Sequence, residues 1–258
     1  MKKIQRIILA FMLGIVPLQS ALADSKANAL ANAALNGELE QVKTLIEKEG
    51  VDINARESEI GATALMGASI KGHLEVVKYL INKGADINAK ANEDETALML
   101  ASIKGHLEVV QYLINKGADI NAKNNIGVTA LIEASHKGHL EVVKYLINKG
   151  ADINAKGDVG TTALKLASVE GHLEVVKYLI NKGADINAKG DYGVTALMGA
   201  SMNGHLEVVK YLISKGADIN AVSAFHRTAL DYAINDKHHK IVEVLKNAGA
   251  KTAKEIQK

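Results

Sequence analysis

The sequence predicts an all-α solenoid, a row of short helix pairs stacked on one another. Three observations carry that prediction. Thr-Ala-Leu begins at Thr63, Thr96, Thr129, Thr162, Thr195 and Thr228, and Gly-His-Leu-Glu-Val-Val at Gly72, Gly105, Gly138, Gly171 and Gly204, both at a constant spacing of 33 residues. Self-similarity at such a period marks stacked supersecondary units. Within each period apolar residues recur at three- and four-residue steps, as Leu107, Val110, Leu113 and Ile114 do, which is a helical face. The helices so defined span about two turns, too short to hold in isolation. Each must therefore bury its apolar face on a neighbour, and stability becomes a sum over interfaces.

The elements follow in order. Residues 1–23 read as a secretory leader: Lys2, Lys3 and Arg6, an apolar run from Ile7 to Val16, then Pro17 and the Ala21-Leu22-Ala23 cleavage pattern. The apolar run falls well short of the ~20 residues that span a bilayer. The mature chain is expected to be residues 24–258, one array of about seven repeats. Residues 27–57 form an N-terminal cap repeat, 58–223 five regular repeats, and 224–258 a C-terminal cap repeat and tail. The first copy, Ala27–Glu49, places Gly37 and Glu40 where the next has Gly72 and Glu75. It carries two extra residues, one in Glu47-Lys48-Glu49 and one in Arg56–Ala62, both at loop positions where insertion costs little.

In a regular repeat, Thr96 is placed to cap a first helix over Ala97–Lys104, which Gly105 ends. His106-Leu107 opens the second helix, and Asn115-Lys116-Gly117 closes it with Gly117 as the left-handed residue. Ala118–Val128 is a connection rich in Asp and Asn, the chemistry of a turn. In the last copy Lys237, Lys246 and Lys251 replace the repeated Gly, Ile and Asp, the polar outer face that a terminal repeat needs.

Composition excludes several functions. The leader holds three of the 31 basic residues and none of the 29 acidic ones, leaving 28 against 29 and a balance of −1. No basic cluster remains to argue for nucleic acid. The chain has no cysteine, hence neither disulfides nor thiolate chemistry nor a lipid-anchor cysteine. A soluble, exported monomer, periplasmic or secreted, without stable membrane insertion is expected.

The repeated polar residues read as structure. His73, His106, His139, His172 and His205 lie one per repeat, roughly 8–10 Å apart, whereas a metal needs its ligands within about 2.1 Å. Glu75, Glu108, Glu141, Glu174 and Glu207 fall in the first turn of a helix, where negative charge suits the macrodipole. Tyr79, Tyr112, Tyr145, Tyr178 and Tyr211 are expected to pack between second helices, with each hydroxyl reaching solvent. Neither nucleophile motif nor phosphate loop is present, so no catalytic residue, cofactor or metal is expected.

With Gly127–Leu131, Gly138–Val143 and Gly150–Asn154 matching its opening, second helix and close, the chain resembles the ankyrin-repeat family. The resemblance spans about Ala27 to Thr252. It implies a curved stack of helix pairs with projecting β-hairpin-like loops, and binding on the concave face of hairpin tips and first helices. Two departures stand out. The family's proline is Ala64, Ala97, Ala130, Ala163, Ala196 or Ala229, and its histidine after Leu is Met66, Met99, Ile132, Lys165, Met198 or Asp231.

Positions that vary between copies are free to serve a partner. Three residues before each Thr stand Ile60, Glu93, Ile126, Val159, Tyr192 and Phe225, five of them apolar at a turn tip. Near the first-helix ends come the pairs Ile70-Lys71, Ile103-Lys104, His136-Lys137, Val169-Glu170 and Met202-Asn203. The resemblance puts both sets on the concave side, as an amphipathic groove. The alternative is that the tips pack on one another along the stack. The expected function is a non-enzymatic scaffold that binds an unidentified partner protein, with Tyr192 and Phe225 as hot spots. A small-molecule or metal-binding protein of the cell envelope, using the same groove, is the second reading.

Overall fold

The computed structural model describes residues 26–257, so the leader reading falls outside the described residues. Fifteen α-helices and no strand occur among the described residues. Fourteen helices form seven pairs. The first helices are α1 (Lys26–Asn36), α3 (Ala64–Lys71), α5 (Ala97–Lys104), α7 (Ala130–His136), α9 (Ala163–Val169), α11 (Ala196–Met202) and α13 (Ala229–Asn235). Their partners are α2 (Leu39–Glu47), α4 (Leu74–Asn82), α6 (Leu107–Asn115), α8 (Leu140–Asn148), α10 (Leu173–Asn181), α12 (Leu206–Ser214) and α14 (His239–Asn247). A last turn, α15 (Ala253–Ile256), closes the chain. No helix among the described residues is long and apolar enough to cross a membrane.

Local chemistry sets each start. Thr96 is extended (φ −110°, ψ 161°), and its hydroxyl accepts the Met99 amide at 3.3 Å. The same bond recurs at Thr63, Thr129, Thr162, Thr195 and Thr228. The threonine thus holds the helix start that proline would have stiffened. Where the family places its histidine, Met66, Met99, Ile132 and Met198 are core residues. Lys165 instead donates to the Gly160 carbonyl at 2.9 Å, and Asp231 accepts the Thr228 amide at 2.9 Å.

The first helices are lined with small residues (Ala64, Ala68, Ala97, Ala101, Ala130, Ala134), all buried. Neighbouring first helices consequently pack close, while successive second helices touch sparsely. A stack tighter on one side bends toward that side, so the first helices and the hairpins beside them line its inner face. One apolar cluster runs through the stack from Leu30 to Ala250.

Three ladders of constant residues fasten one repeat to the next. His139 Nε2 donates to the Ile103 carbonyl at 3.0 Å, and His73, His106, His172, His205 and His238 make the same bond to the preceding repeat. Because only a carbonyl faces it, Nε2 carries the proton. The ring lies on the preceding glycine: a Cβ at Gly138, itself at φ 74°, would sit 2.6 Å from His172 Nδ1. Gly and His therefore recur together because one repeat's glycine leaves room for the next repeat's imidazole.

The second ladder is asparagine. Asn121 Oδ1 accepts the Asp152 amide of the next repeat at 2.8 Å, and its own amide donates to Asp119 Oδ1 at 3.0 Å. The pattern runs from Asn54 to Asn220. The third is tyrosine, and it corrects the expectation that the hydroxyls simply reach solvent. Tyr112, Tyr145, Tyr178 and Tyr211 donate to Asn82, Asn115, Asn148 and Asn181 of the preceding second helix at 3.2–3.3 Å. Each ring also carries a lysine ammonium over its face, 5.5–5.6 Å from the centroid, a cation–π contact.

Candidate protein-binding surface

Each connection between repeats folds into a tight loop closed by a backbone bond, such as Ala91 N to Glu95 O at 2.9 Å and Ser223 N to Arg227 O at 2.9 Å. The tips are then tied to one another. The carbonyls of Ile60, Glu93, Ile126, Val159 and Tyr192 accept the amides of Asn92, Asn125, Asp158, Asp191 and Ala224 at 2.8–3.2 Å. One backbone bond thus ties each tip to the next along the stack, and the side chains are disposed around it.

They divide by position. Ile60 and Ile126 are half-buried and packed against the core, so for them the packing alternative describes the side chain well. Val159, Tyr192 and Phe225 are 52%, 52% and 58% exposed. The rings of Tyr192 and Phe225 touch, centroids 5.4 Å apart at 32°. Val159 has φ 54°, a conformation that a β-branched residue seldom adopts. Together the three make an apolar strip over the last three hairpins.

The first-helix ends divide as well. Ile70 and Ile103, expected on the surface, are 2% and 5% exposed and belong to the interior. The reason is the close spacing of first helices, in which a residue one place from the helix end reaches the next repeat. Val169 shows the geometry, since its Cγ2 would meet a Cβ at Gly199 at 2.7 Å. Met202 is exposed. Asn203 donates to the Gly199 carbonyl at 2.9 Å and so closes its own helix.

Charge is unevenly spread along this face. Lys71, Lys104 and Lys137 form a row at the ends of α3, α5 and α7. Burial, with Lys71 and Lys137 nearby, holds the Lys104 ammonium below the usual lysine range. His136 Nε2 lies 3.5 Å from Glu170. Burial and then Lys137 hold its imidazole below the ordinary range, which favours the neutral ring in that contact near pH 7. Burial likewise lowers Lys165.

The family question is decided by the match to a model described as ankyrin repeats (3 copies), over residues 9–91, 30–124, 89–157, 123–190 and 188–255. The chain belongs to the ankyrin-repeat family. The matched ranges overlap along nearly its full length. Ankyrin repeats are protein–protein interaction scaffolds, and the ladders above are what such a scaffold requires. No curated protein matches the chain.

Two residues of this ankyrin surface were missed by reading the sequence for exposed apolar tips. Glu95 and Glu133 are 9% and 8% exposed, buried carboxyls on the hairpin and first-helix side. A signal was available: Glu95 stands where Ala62 and Val128 stand, and Glu133 where Leu100 and Leu166 stand.

Proposed function

We propose that this ankyrin-repeat chain is an exported, non-enzymatic scaffold that captures a partner protein through its hairpin tips and first-helix ends. The C-terminal three hairpins carry most of the affinity. The observation behind this reading is the Val159–Tyr192–Phe225 strip. Its hairpins are already tied to one another by backbone bonds within the stack, so the fold gains little from large apolar side chains left half or more in water. A partner that covers them gains the transfer free energy of that surface, about 25 cal/mol per Å². Tyr and paired aromatics are the residues on which binding energy concentrates.

The leader pattern supports an envelope or extracellular setting. In that setting the partner is an exported protein whose apolar patch fits the strip. The test is capture from the envelope fraction of the source organism with the protein as bait, compared with Tyr192→Ala/Phe225→Ala. The double variant is expected to lose the captured species while its Tm stays within a few degrees, because exposed tip side chains contribute little to the stack. Undiminished capture by the double variant would refute the assignment of these tips.

A further inference from the structure

The hairpin before α5 departs from its siblings at three adjacent positions. Ile60-Gly61-Ala62, Ile126-Gly127-Val128, Val159-Gly160-Thr161 and Tyr192-Gly193-Val194 correspond to Glu93-Asp94-Glu95. Asp94 takes the left-handed conformation of the sibling glycines, φ 61°, which Asp tolerates better than most residues. The turn is therefore built as elsewhere, and the charge is an addition to it.

Two of the three acids are accounted for. Glu93 accepts a bond from the Asn125 side chain, and Asp94 lies 3.9 Å from Lys90. Glu95 differs. It is nine-tenths buried, its Oε2 is sealed from water, and that oxygen has no hydrogen-bond partner among the described residues. Burial, opposed by backbone hydrogen bonds from Glu95 and Glu93 and aided by the charges of Glu93 and Asp94, holds its carboxyl above the usual range. A buried carboxyl oxygen left without a partner is costly, and nothing in the repeat demands an acid there, since Ala62 and Val128 serve the same place.

Glu95 lines a pocket of about 120 Å³ between this hairpin and the preceding one. Its walls are apolar, including Ile60, Ala91 and Leu100, its other acids are Glu59 and Glu93, and no Lys or Arg among the described residues lines it. One water needs roughly 10–15 Å³ of such space, so the pocket has room for a slender chain. Apolar walls leading to a carboxyl with one unpartnered oxygen suit an alkyl stem that ends in a point charge. A planar guanidinium prefers two carboxylate oxygens in a fork, and Oε2 here stands alone.

We propose that this pocket receives a lysine side chain of the partner protein, the stem along Ile60, Ala91 and Leu100 and the ammonium at the Glu95 carboxyl, whose Oε2 turns toward it on binding. The proposal rests on the scaffold reading above and adds a polar anchor at the other end of the same face.

The test is an NMR titration of the ¹⁵N-labelled protein with Nα-acetyl-lysine N-methylamide. Its norleucine counterpart, which ends in a methyl, its arginine counterpart and n-butylammonium serve as comparisons. Lysine is expected to shift the amides of Ala62, Ala91, Glu95 and Leu100 saturably. Its affinity should fall at least tenfold in Glu95→Gln and in Glu95→Val, the residue that Val128 supplies in the next repeat. Both substitutions remove a buried charge, and circular dichroism verifies that each variant is folded. Norleucine binding as well as lysine, arginine binding more tightly, or lysine binding unchanged in both variants overturns the proposal. Butylammonium binding tenfold more tightly than the capped lysine assigns the pocket to a free amine and overturns it too. Because the probes are small and never touch Tyr192 or Phe225, this titration and the capture experiment can fail independently.

Discussion

Glu133 occupies the first-helix position that Gly67, Leu100, Leu166 and Gly199 hold in other repeats, and its carboxyl is pushed up to about 7, from 4.5, by burial. Lys137 opposes that shift and Glu95 adds to it. The sign follows from which state holds the proton. Between pH 4.5 and about 7 the folded chain retains a proton that the unfolded chain has released, so stability contributed at this residue falls as pH rises through that window and is level on either side. Glu133→Gln removes the dependence. At pH 8 the variant should exceed the parent by about 3 kcal/mol, the shift times about 1.4 kcal/mol per unit, and at pH 4 the two should coincide. Urea unfolding of parent and variant at the two pH values measures it. An equal gain at both would place the cause in packing rather than in the proton.

At the scale of the elements, the ladders and the hairpins obey different constraints, and point substitutions should separate them. Asn121 bonds within its own turn and to the next repeat. Asn121→Ala should lower stability by about 1 kcal/mol, as a net hydrogen bond does, leaving the Asp152 amide without its acceptor. Ser102 recurs in five repeats and is wholly buried, but its hydroxyl has no partner among the described residues. Ser102→Ala is therefore expected to be neutral or slightly stabilising, and thermal melts of the two variants beside the parent measure both effects.

The same contrast explains what could be read from the sequence. The threonine caps and the two helices per repeat were legible because their cause is local: a hydroxyl and an amide three residues apart, or an apolar step of three and four. His139 was legible as a structural residue because its spacing forbids a shared metal. Its acceptor at Ile103, and the reason Gly138 precedes it, were not, since both depend on the register between repeats. Asn121 read only as turn chemistry for the same cause. Ile70 and Ile103 read as surface because helical periodicity does not say which neighbour covers a helix end. Glu95 escaped notice because an acid in a turn is ordinarily solvated, and only the pocket around it shows that this one is not.

Across the whole molecule, constant residues fasten seven helix pairs into one stack, and the residues that vary are left to the hairpin and first-helix face. Partner contact is then predicted to fall on one face and unevenly along it, apolar at Val159, Tyr192 and Phe225, with the Glu95 pocket nearer the N-terminus. A binding face of this kind needs no conformational change in the stack, since the ladders are already formed in the free chain. Amide hydrogen exchange of the protein alone and with its captured partner reads this directly. The account predicts added protection in the hairpins around 158–161, 191–194 and 223–227 and at the ends of the first helices, with the second helices α4 to α12 unchanged. Protection concentrated on the second helices, along the Tyr79 to Tyr211 row, would contradict it.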